Sequence, residues 1–330
     1  MGSVSVFTKI PNLLKELRSC LPAVQFHEIT SGVPNLCIQI LDKDDKLKSS
    51  EIIVADFNLL APVLYNLPKT KWVQGTWAGV DKLMPYIQQD NLPAFTITRY
   101  SGKHFGRIMA EYVLSHIVNH ERDYLNVYKN QIAKCWKQDG KISDYRVISD
   151  LNIGILGLGQ IGSWIAEILH KFGATIFGFG RKPNLDKNKS FVKAYYTKPT
   201  LKDFLQNCDY VINVLPNTPE TKGLLNGGVL KNCKDRATVF INVGRGSIIS
   251  DGDLIQALDK KWLSSAILDV FNEEPLPESS LLWSMPQVKI TPHVSAVSIA
   301  RHIAEQFMDN YKLHMSNEPI PTTLDLSKGY

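Results

Sequence analysis

Short apolar runs alternate with longer amphipathic segments along almost the whole chain. In the first hundred residues the apolar runs predict strands at Val4–Thr8, Val24–His27, Ile52–Ala55, Trp72–Gln74 and Ala94–Thr98. The segments Pro11–Cys20 and Asp81–Gln89 between them predict helices. Alternation of this kind is typical of a parallel sheet with helices on both of its faces.

A second α/β series follows a long helical pattern that starts near Gly106 and runs toward Trp136. Its apolar runs predict strands at Asn152–Leu156, Thr175–Phe179, Tyr210–Leu215, Val239–Val243, Ala266–Val270 and Val288–Thr291. A last helix is predicted from apolar residues four positions apart, at Ile299, Ile303, Phe307 and Tyr311. Because no Pro/Gly-rich linker lies near residue 103, we expect a rigid helix to connect two successive α/β units.

Composition narrows the class of protein. The 330 residues suffice for two domains, and 44% hydrophobic with 21% charged residues is ordinary soluble-protein usage. The net charge of +5 is spread without a basic tract, so it does not indicate a nucleic-acid partner. Five scattered cysteines are typical of reduced thiols. No apolar run approaches the roughly 18 residues of a membrane span, and no secretory signal is evident, so we expect a cytoplasmic protein without a membrane partner.

Two histidines raise the question of a metal site. His116 and His120 are spaced i, i+4 on the predicted long helix, a spacing that can hold a metal on one helix face. No Glu follows His116 and no third ligand is evident, so a packed or exposed helix is favoured. We therefore expect no metal.

A glycine-rich turn separates the predicted strand that ends at Leu156 from a helix over Ser163–Phe172. It reads Gly157-Leu158-Gly159-Gln160-Ile161-Gly162, which is the G-x-G-x-x-G pattern in a strand–turn–helix context. The first glycine permits the tight turn, the second lets backbone N–H groups approach a pyrophosphate, and the third lets the helix pack closely. The helix N-terminus favours anions. The pattern predicts a dinucleotide-binding loop; a glycine-rich turn without a ligand is the alternative.

The end of the next predicted strand indicates which nicotinamide cofactor is bound. It reads Gly178-Phe179-Gly180-Arg181-Lys182, and no carboxylate follows until Asp186. An acidic residue here would bind the 2′-hydroxyl of NAD. Arg181 and Lys182 instead place two positive charges where a 2′-phosphate would lie, unless they are solvated loop charges. The segment predicts that NADP(H) is preferred over NAD(H).

Three further segments place a polar side chain just past the carboxyl end of a predicted strand, where open α/β sheets bind ligands. They are Val243-Gly244-Arg245-Gly246, Asp269-Val270-Phe271-Asn272-Glu273-Glu274-Pro275 and Thr291-Pro292-His293-Val294-Ser295-Ala296. An Arg, a Glu and a His that arrive separately at one edge can bind a carboxylate, orient a base and donate a proton.

Together with Leu215-Pro216-Asn217-Thr218-Pro219-Glu220-Thr221-Lys222-Gly223, these segments resemble the signature regions of the D-isomer-specific 2-hydroxyacid dehydrogenase family. The resemblance covers nearly the whole chain. The family's NADPH-dependent glyoxylate/hydroxypyruvate reductase branch shares the Ala78-Gly79-Val80-Asp81 loop, the Phe271-Asn272 variant and the Gly329-Tyr330 ending. The resemblance implies a flavodoxin-like substrate-binding domain, residues 1–103 plus 294–330, and a Rossmann NAD(P)-binding domain, residues 104–293. Both would be doubly wound α/β parallel-sheet domains with a cleft between them.

The resemblance also implies site residues. Arg245 matches the family arginine that binds the substrate carboxylate and keto oxygen, His293 the acid/base histidine, and Glu274 the carboxylate that orients and charges it. The implied cofactor contacts are the Gly157–Gly162 loop, Arg181, Lys182, Leu215, Pro216, Val243, Gly244, Arg245, Asp269 and His293. The implied substrate contacts are Trp77, Ala78, Gly79, Arg245 and His293. Structural alternatives stay open: Arg245 as a surface ion-pair residue, Glu274 as a turn residue, His293 as a core histidine, Asp269 as a strand-end cap, and Trp77 as core.

The function implied by the resemblance is NADPH-dependent reduction of small 2-keto acids, such as glyoxylate and hydroxypyruvate, to D-2-hydroxy acids. A reductase of bulkier 2-keto acids such as phenylpyruvate is one alternative. A non-enzymatic NAD(P)-sensing protein similar to the co-repressors that resemble this family is another. The lack of a basic nuclear-import run favours the enzyme. The resemblance further implies a homodimer that uses the long helix near Gly106 as its surface.

Overall fold

The computed structural model describes residues 3–29, 45–182 and 190–329. Cys37, which is one of the five cysteines, together with Asp186 and Tyr330, therefore lies outside the described residues. The chain divides into two compact units, Met1–Phe105 with Val297–Tyr330, and Gly106–Ala296. No helix in the described ranges is both long and apolar enough to cross a membrane.

The first unit is built on a parallel five-stranded sheet. In chain order its strands are β1 Val4–Phe7, β2 Phe26–Glu28, β3 Ile52–Ala55, β4 Trp72–Gly75 and β5 Thr96–Thr98. They lie in the order β2-β1-β3-β4-β5, and every neighbouring pair is parallel. The predicted strands are confirmed, with ends displaced by one or two residues.

The second unit is built on a parallel seven-stranded sheet. Its strands are β6 Asn152–Leu156, β7 Thr175–Phe179, β8 Val192–Tyr196, β9 Tyr210–Asn213, β10 Thr238–Asn242, β11 Leu263–Leu268 and β12 Val288–Ile290. They lie in the order β12-β11-β10-β9-β6-β7-β8. Sequence reasoning missed β8, an edge strand whose residues are mostly half-buried and which therefore shows no strong apolar run.

Nine α-helices of the described residues connect and cover these sheets. They are α1 Leu13–Cys20, α2 Asp45–Ser49, α3 Phe57–Leu60, α4 Lys103–Glu121, α5 Tyr124–Ile132, α6 Gln160–Lys171, α7 Leu201–Asn207, α8 Asp251–Asp259 and α9 Ala300–Met315.

Two predicted helices differ from the structure. The segment Asp81–Gln89 forms only turns and a short 3₁₀ helix at Met84–Tyr86. Pro85 lacks an N–H and disfavours helical geometry in the residue before it, which prevents a continuous α-helix. The pattern from Gly106 to Trp136 is not one helix, because the chain leaves helical geometry after Glu121 and Asp123 is left-handed, with φ 50°.

Helix α9 packs against the first sheet along its predicted apolar stripe. Ile303, Phe307 and Tyr311 are buried, whereas Ile299 lies just before the helix and is exposed. The Phe307 ring stacks on Trp72 of β4, with centroids 5.2 Å apart and planes at 6°. The last helix therefore completes the core of a sheet that the first hundred residues begin.

We predict that Phe307→Ala lowers the free energy of unfolding by about 3–5 kcal/mol, since it opens a cavity beside Trp72. Met315→Ala, on the same helix with a side chain 55% exposed, should change it by less than about 0.5 kcal/mol. Guanidinium denaturation followed by Trp fluorescence and circular dichroism measures both. Equal effects of the two substitutions would show that Phe307 does not anchor the helix.

Candidate active site

The glycine turn after β6 has the geometry that its sequence predicts. Gly157 has a φ of +103°, which only glycine adopts without strain. A Cβ at Gly162 would lie 2.0 Å from the carbonyl oxygen of Gly157, so a side chain there would push α6 away from the turn. A Cβ at Gly159 would meet no described atom within 4 Å. The protein itself thus does not require glycine at 159, whereas a pyrophosphate approaching the backbone would.

The segment after β7 carries an exposed Arg181 and an exposed Lys182. A Cβ at Gly180 would lie 2.3 Å from the hydroxyl of Tyr195, which comes from strand β8. Sequence reasoning missed this neighbour because it did not predict β8. The space that a side chain at position 180 would need is therefore already occupied by Tyr195.

A carboxylate that sequence reasoning did not weigh lies near Arg181. Hydrogen bonds from its own backbone and from the Thr218 side chain lower the pKa of Glu220, and the positive charges of Arg181 and Lys198 lower it further. A cavity of about 300 Å³ adjoins Glu220 and is lined by three lysines, Lys198, Lys202 and Lys222. The lysines thus give this cavity a positively charged lining.

Glu274 and His293 are in direct contact, as their predicted pairing requires. Nδ1 of His293 lies 2.7 Å from Oε2 of Glu274, and Oε1 of Glu274 accepts a hydrogen bond of 2.9 Å from the Phe271 N–H. Because a carboxylate accepts but does not donate, Nδ1 carries the proton in this pair. The His293 side chain is 53% exposed, which leaves Nε2 accessible to a reactant.

The loop that carries His293 is anchored by a buried carboxylate. Oδ1 of Asp269 accepts hydrogen bonds from the Thr291 hydroxyl at 2.6 Å and from the Val294 N–H at 2.8 Å. Oδ2 accepts from the Ser295 N–H at 2.9 Å. Asp269 is fully buried at the end of β11. The carboxylate thus ties β11 to the loop after β12; its contact with the nicotinamide amide stays a prediction.

A tyrosine that sequence reasoning missed extends this anchor. The hydroxyl of Tyr112, on α4, lies 2.6 Å from the Thr291 hydroxyl. Since Thr291 gives its one proton to Asp269, Tyr112 must donate to Thr291. Burial raises the pKa of Tyr112 to about 12, so the phenol keeps its proton at neutral pH. No motif links residues 112 and 291, and only the fold brings them together.

Arg245 follows β10 beside a pair of asparagines. Nδ2 of Asn213 donates to Oδ1 of Asn242 at 2.8 Å, and Nδ2 of Asn242 donates to the Arg245 carbonyl at 3.1 Å. The Asn213 side chain also accepts from the Leu215 N–H at 3.1 Å. This buried amide pair, absent from the sequence interpretation, joins the loops after β9 and β10.

Gly246 lets two of these loops meet. A Cβ there would lie 2.0 Å from the backbone carbonyl carbon of Phe271. The loop with Arg245 therefore packs against the loop with Glu274, which in turn contacts His293. The structure brings these three segments together at the carboxyl ends of β10, β11 and β12. Val243 is buried beside them, and Gly244 lies within the Asn213–Asn242 arrangement.

The residues matched to substrate contacts in the first unit follow β4. Ala78 is buried, and its carbonyl accepts from the Arg99 guanidinium at 3.3 Å. Trp77 is half-buried and packs against the core of that unit. The contacts of Trp77, Ala78 and Gly79 with a substrate stay predictions.

His116 and His120 have other contacts. The His116 ring lies 4.4 Å from the Tyr112 ring, and Nε2 of His120 lies 2.8 Å from Nζ of Lys141. Burial, and to a smaller extent the charge of Lys141, lowers the pKa of His120 to about 4, so this ring is neutral at pH 7. Within the described part of the chain, neither histidine belongs to a group of three possible metal ligands.

Comparison with known proteins adds independent evidence. The sequence model of the D-isomer specific 2-hydroxyacid dehydrogenase, NAD binding domain, matches residues 114–295, more than half of the chain. The chain is 32% identical over 256 residues to a glyoxylate/hydroxypyruvate reductase A of Klebsiella pneumoniae strain 342, covering 77% of this chain and 80% of that protein. It is 31% identical over 256 residues to a protein of the same name from Photorhabdus laumondii, covering 77% and 79%.

Solved structures share the fold over the whole chain. A D-isomer specific 2-hydroxyacid dehydrogenase from Xanthobacter autotrophicus Py2, in complex with NADPH and MES, has a TM-score of 0.82 at 28% identity and covers 100% of this chain and 99% of its own. An NADPH-dependent glyoxylate/hydroxypyruvate reductase from Sinorhizobium meliloti, in complex with NADP and sulfate, has a TM-score of 0.81 at 26% identity and covers 100% of both chains.

We predict that Tyr112→Phe lowers the free energy of unfolding by about 1 kcal/mol, because it removes a buried hydrogen-bond donor to Thr291. Tyr86→Phe, at a ring 50% exposed in the 3₁₀ helix Met84–Tyr86, should leave stability unchanged. Urea denaturation of both variants and the wild type measures the difference. A Tyr112 variant as stable as the wild type would mean that the hydroxyl contributes no net stability.

Proposed function

Because the chain belongs to the D-isomer-specific 2-hydroxyacid dehydrogenase family, we propose that it reduces small 2-keto acids such as glyoxylate and hydroxypyruvate with NADPH. The chain is an NAD(P)-dependent oxidoreductase by this membership. The observation that carries the proposal is the 2.7 Å contact between His293 and Glu274 at the carboxyl edge of the second sheet. Relatives named glyoxylate/hydroxypyruvate reductase support the choice of substrate class.

The proposed proton donor is Nε2 of His293. Glu274 fixes the ring through Nδ1, so that the second nitrogen points away from the carboxylate. Reduction of a 2-keto acid places negative charge on the carbonyl oxygen, and a cationic imidazole stabilises that charge and then delivers the proton. When bound, the reduced nicotinamide supplies the hydride.

Arg245 is the proposed substrate anchor. Its planar guanidinium matches a carboxylate with two parallel hydrogen bonds and can also contact the keto oxygen. The buried asparagine pair holds the Arg245 carbonyl, and the packing of Gly246 against Phe271 holds the loop beside that of Glu274. Substrate binding and proton delivery would thus depend on two loops in mutual contact.

The glycine turn is the proposed pyrophosphate site, since Gly159 leaves room for a ligand at the N-terminus of α6. The loops with Leu215, Pro216, Val243 and Gly244 are the proposed walls of the nicotinamide-ribose site. Asp269, which is hydrogen-bonded to the loop that carries His293, is the proposed contact of the nicotinamide amide.

NADPH is the proposed cofactor because the segment after β7 offers positive charge and no acidic side chain. Arg181 lies near Lys198, since both act on Glu220, and the adjoining cavity adds further lysines. A 2′-phosphate would meet this charge. Solved relatives described as complexes with NADPH and NADP support the assignment.

We also propose a homodimer, and the structure suggests a surface for it. Helix α5 has no buried residue, and its apolar side chains Tyr124, Leu125, Tyr128 and Ile132 are each at least 52% exposed. Trp136, just beyond the helix, is 93% exposed. Contiguous exposed apolar side chains of this kind mark protein–protein contacts. The apolar face of α4, by contrast, is already buried within the chain.

The first test is steady-state reduction of glyoxylate and hydroxypyruvate, followed by loss of NADPH absorbance. We expect activity in the wild type, and His293→Ala should lower kcat by about two to four orders of magnitude, the range of a lost general acid. Glu274→Gln should reduce kcat less, because the amide keeps a hydrogen bond to the ring but not its charge.

His170→Ala, an exposed histidine on α6, is the matched control and should retain wild-type activity. If the His293 variant kept more than half of wild-type kcat, His293 would not be the proton donor. If no 2-keto acid in a panel with either cofactor were reduced by the wild type, the proposed activity itself would be wrong.

The cofactor preference is tested by Arg181→Ala. One charge pair at 4 Å is worth about 1 kcal/mol in water and about 4 kcal/mol at an effective dielectric of 20. We therefore expect the wild type to prefer NADPH in kcat/KM by roughly tenfold to a thousandfold. The variant should lose most of this preference through a lower kcat/KM for NADPH alone.

Lys171→Ala, which removes an exposed cation at the end of α6, is the control and should keep the preference. A Gly180→Asp substitution is less clean, because the hydroxyl of Tyr195 occupies its space. Equal use of both cofactors by the wild type would show that this segment does not recognise the phosphate.

The dimer is tested by sedimentation. The wild type should have about twice the 37.1 kDa mass of one chain, and Leu125→Glu with Tyr128→Glu should convert it to a monomer, since burying unpaired charge is costly. Phe172→Glu, at another exposed aromatic (55%), should leave the dimer intact. A wild type that is monomeric at micromolar concentration would contradict the proposal.

A further inference from the structure

Three side chains with metal-ligating atoms converge in the first unit, and none of them belongs to the proposed active site. His104 lies in the first turn of α4, and His302 and Glu305 lie near the start of α9. One ligand atom from each lies within 4.8 Å of the other two. We propose that His104, His302 and Glu305 form a binding site for a divalent transition-metal ion, with Zn²⁺ as the preferred occupant.

The geometry is near that of a zinc site. His302 and Glu305 are three positions apart on one helix and thus share a face. Nδ1 of His104 lies 3.5 Å from Oε2 of Glu305, and the two imidazole rings are 5.1 Å apart. Tetrahedral zinc with bonds of about 2.0–2.2 Å places neighbouring ligands roughly 3.3–3.5 Å apart. The distance between the ligand atoms of His104 and Glu305 already has this length. Small side-chain rotations would bring the ligand atom of His302 to the same distance from the other two.

Buried polar atoms that lack a hydrogen-bond partner occur on and near the three proposed ligands. Among the described residues, the buried side-chain atoms without a hydrogen-bond partner are Nδ1 of His302, Oη of Tyr100, Oγ of Ser101 and Oε1 of Gln306. All four belong to residues within a few positions of the three proposed ligands. A buried polar atom that is left unpaired destabilises the folded state, so native proteins retain few of them without a functional reason. Their concentration here fits a hydrated cation.

The contact between His302 and Arg301 must change when the metal binds. Nε2 of His302 lies 3.2 Å from a guanidinium nitrogen of the exposed Arg301, which can only donate. Ligation through Nδ1 therefore moves the ring proton to Nε2 and turns Arg301 outward into solvent. Because the Arg301 side chain is exposed, this rearrangement disturbs no core packing.

The local field favours a cation. Burial raises the pKa of the Tyr100 phenol, and the negative charge of Glu305 raises it further. The same two causes, in the same order, raise the pKa of the Cys20 thiol. The negative charge of Glu305 thus acts on both Tyr100 and Cys20, and a bound cation would offset it. Imidazole nitrogens with one carboxylate are a donor set that zinc accepts.

The position of the site gives it a structural consequence. His104 immediately precedes Phe105, where the chain leaves the first unit, and α9 begins shortly after Val297, where the chain returns. A metal bound by both helices would join the outgoing and returning segments. Zinc binding should therefore stabilise the folded protein by mass action rather than take part in catalysis.

The test uses the full-length protein freed of metal with a chelator, and Zn²⁺ alone as the probe. Isothermal titration should show one equivalent bound with a micromolar or lower Kd, and the melting temperature should rise by several degrees at saturating zinc. Co²⁺ should give the visible absorption spectrum of a tetrahedral or five-coordinate N/O site.

Two variants remove different ligands. His302→Ala and the nearly isosteric Glu305→Gln should each weaken zinc binding at least tenfold and abolish the thermal shift, while circular dichroism confirms the fold. His293→Ala and His170→Ala are the controls and should bind zinc as the wild type does. The proposal is overturned if the wild type binds no zinc at 100-fold molar excess. It is equally overturned if both ligand variants bind zinc unchanged, or if binding disappears with His293.

Discussion

The buried carboxylate of Asp269 fixes the geometry on which the proposed chemistry depends. An ionised group removed from water is tolerated only when its oxygens are fully hydrogen-bonded. Here all the donors come from the loop after β12: the Thr291 hydroxyl and the N–H groups of Val294 and Ser295. A different loop conformation would leave the carboxylate unpaired, so these hydrogen bonds stabilise the conformation that the loop has here. His293, with a φ of 55°, is held in a backbone geometry that an unrestrained residue would seldom adopt.

Other buried polar groups stabilise the neighbouring loops in the same way as Asp269. Tyr112 satisfies Thr291, and the asparagine pair satisfies the backbone beside Arg245. These groups disfavour other loop conformations, because each buried polar atom would lose its hydrogen-bond partner if its loop moved. Glu274 completes the arrangement from the side of β11, where its two oxygens divide between the Phe271 backbone and His293.

The parts of the molecule that could be predicted from sequence are those governed by local pattern. Strands such as Ile52–Ala55 and Asn152–Leu156 were recognisable because both faces are buried and, apart from Asn152 at the start of the second strand, the residues carry no polar side chain. The glycine turn was recognisable because its requirements act within six residues. By contrast, strand β8 lies half-exposed at a sheet edge, and Tyr195 and Tyr112 act on residues distant in sequence. The break at Asp123 also escaped prediction, since helical periodicity continues on both sides of it.

The stacking of Phe307 on Trp72 has a consequence for how the chain is made. Strand β4 leaves the ribosome long before α9, and the whole second unit, Gly106–Ala296, is synthesised between them. The ring of Trp72 and the sheet face around it stay uncovered through that interval. The second unit is continuous in sequence, so all of its residues are available for folding before α9 is made, whereas the first unit must wait for its final helix. The unit that begins first is thus completed last, and its apolar sheet face is exposed to aggregation while the chain is synthesised.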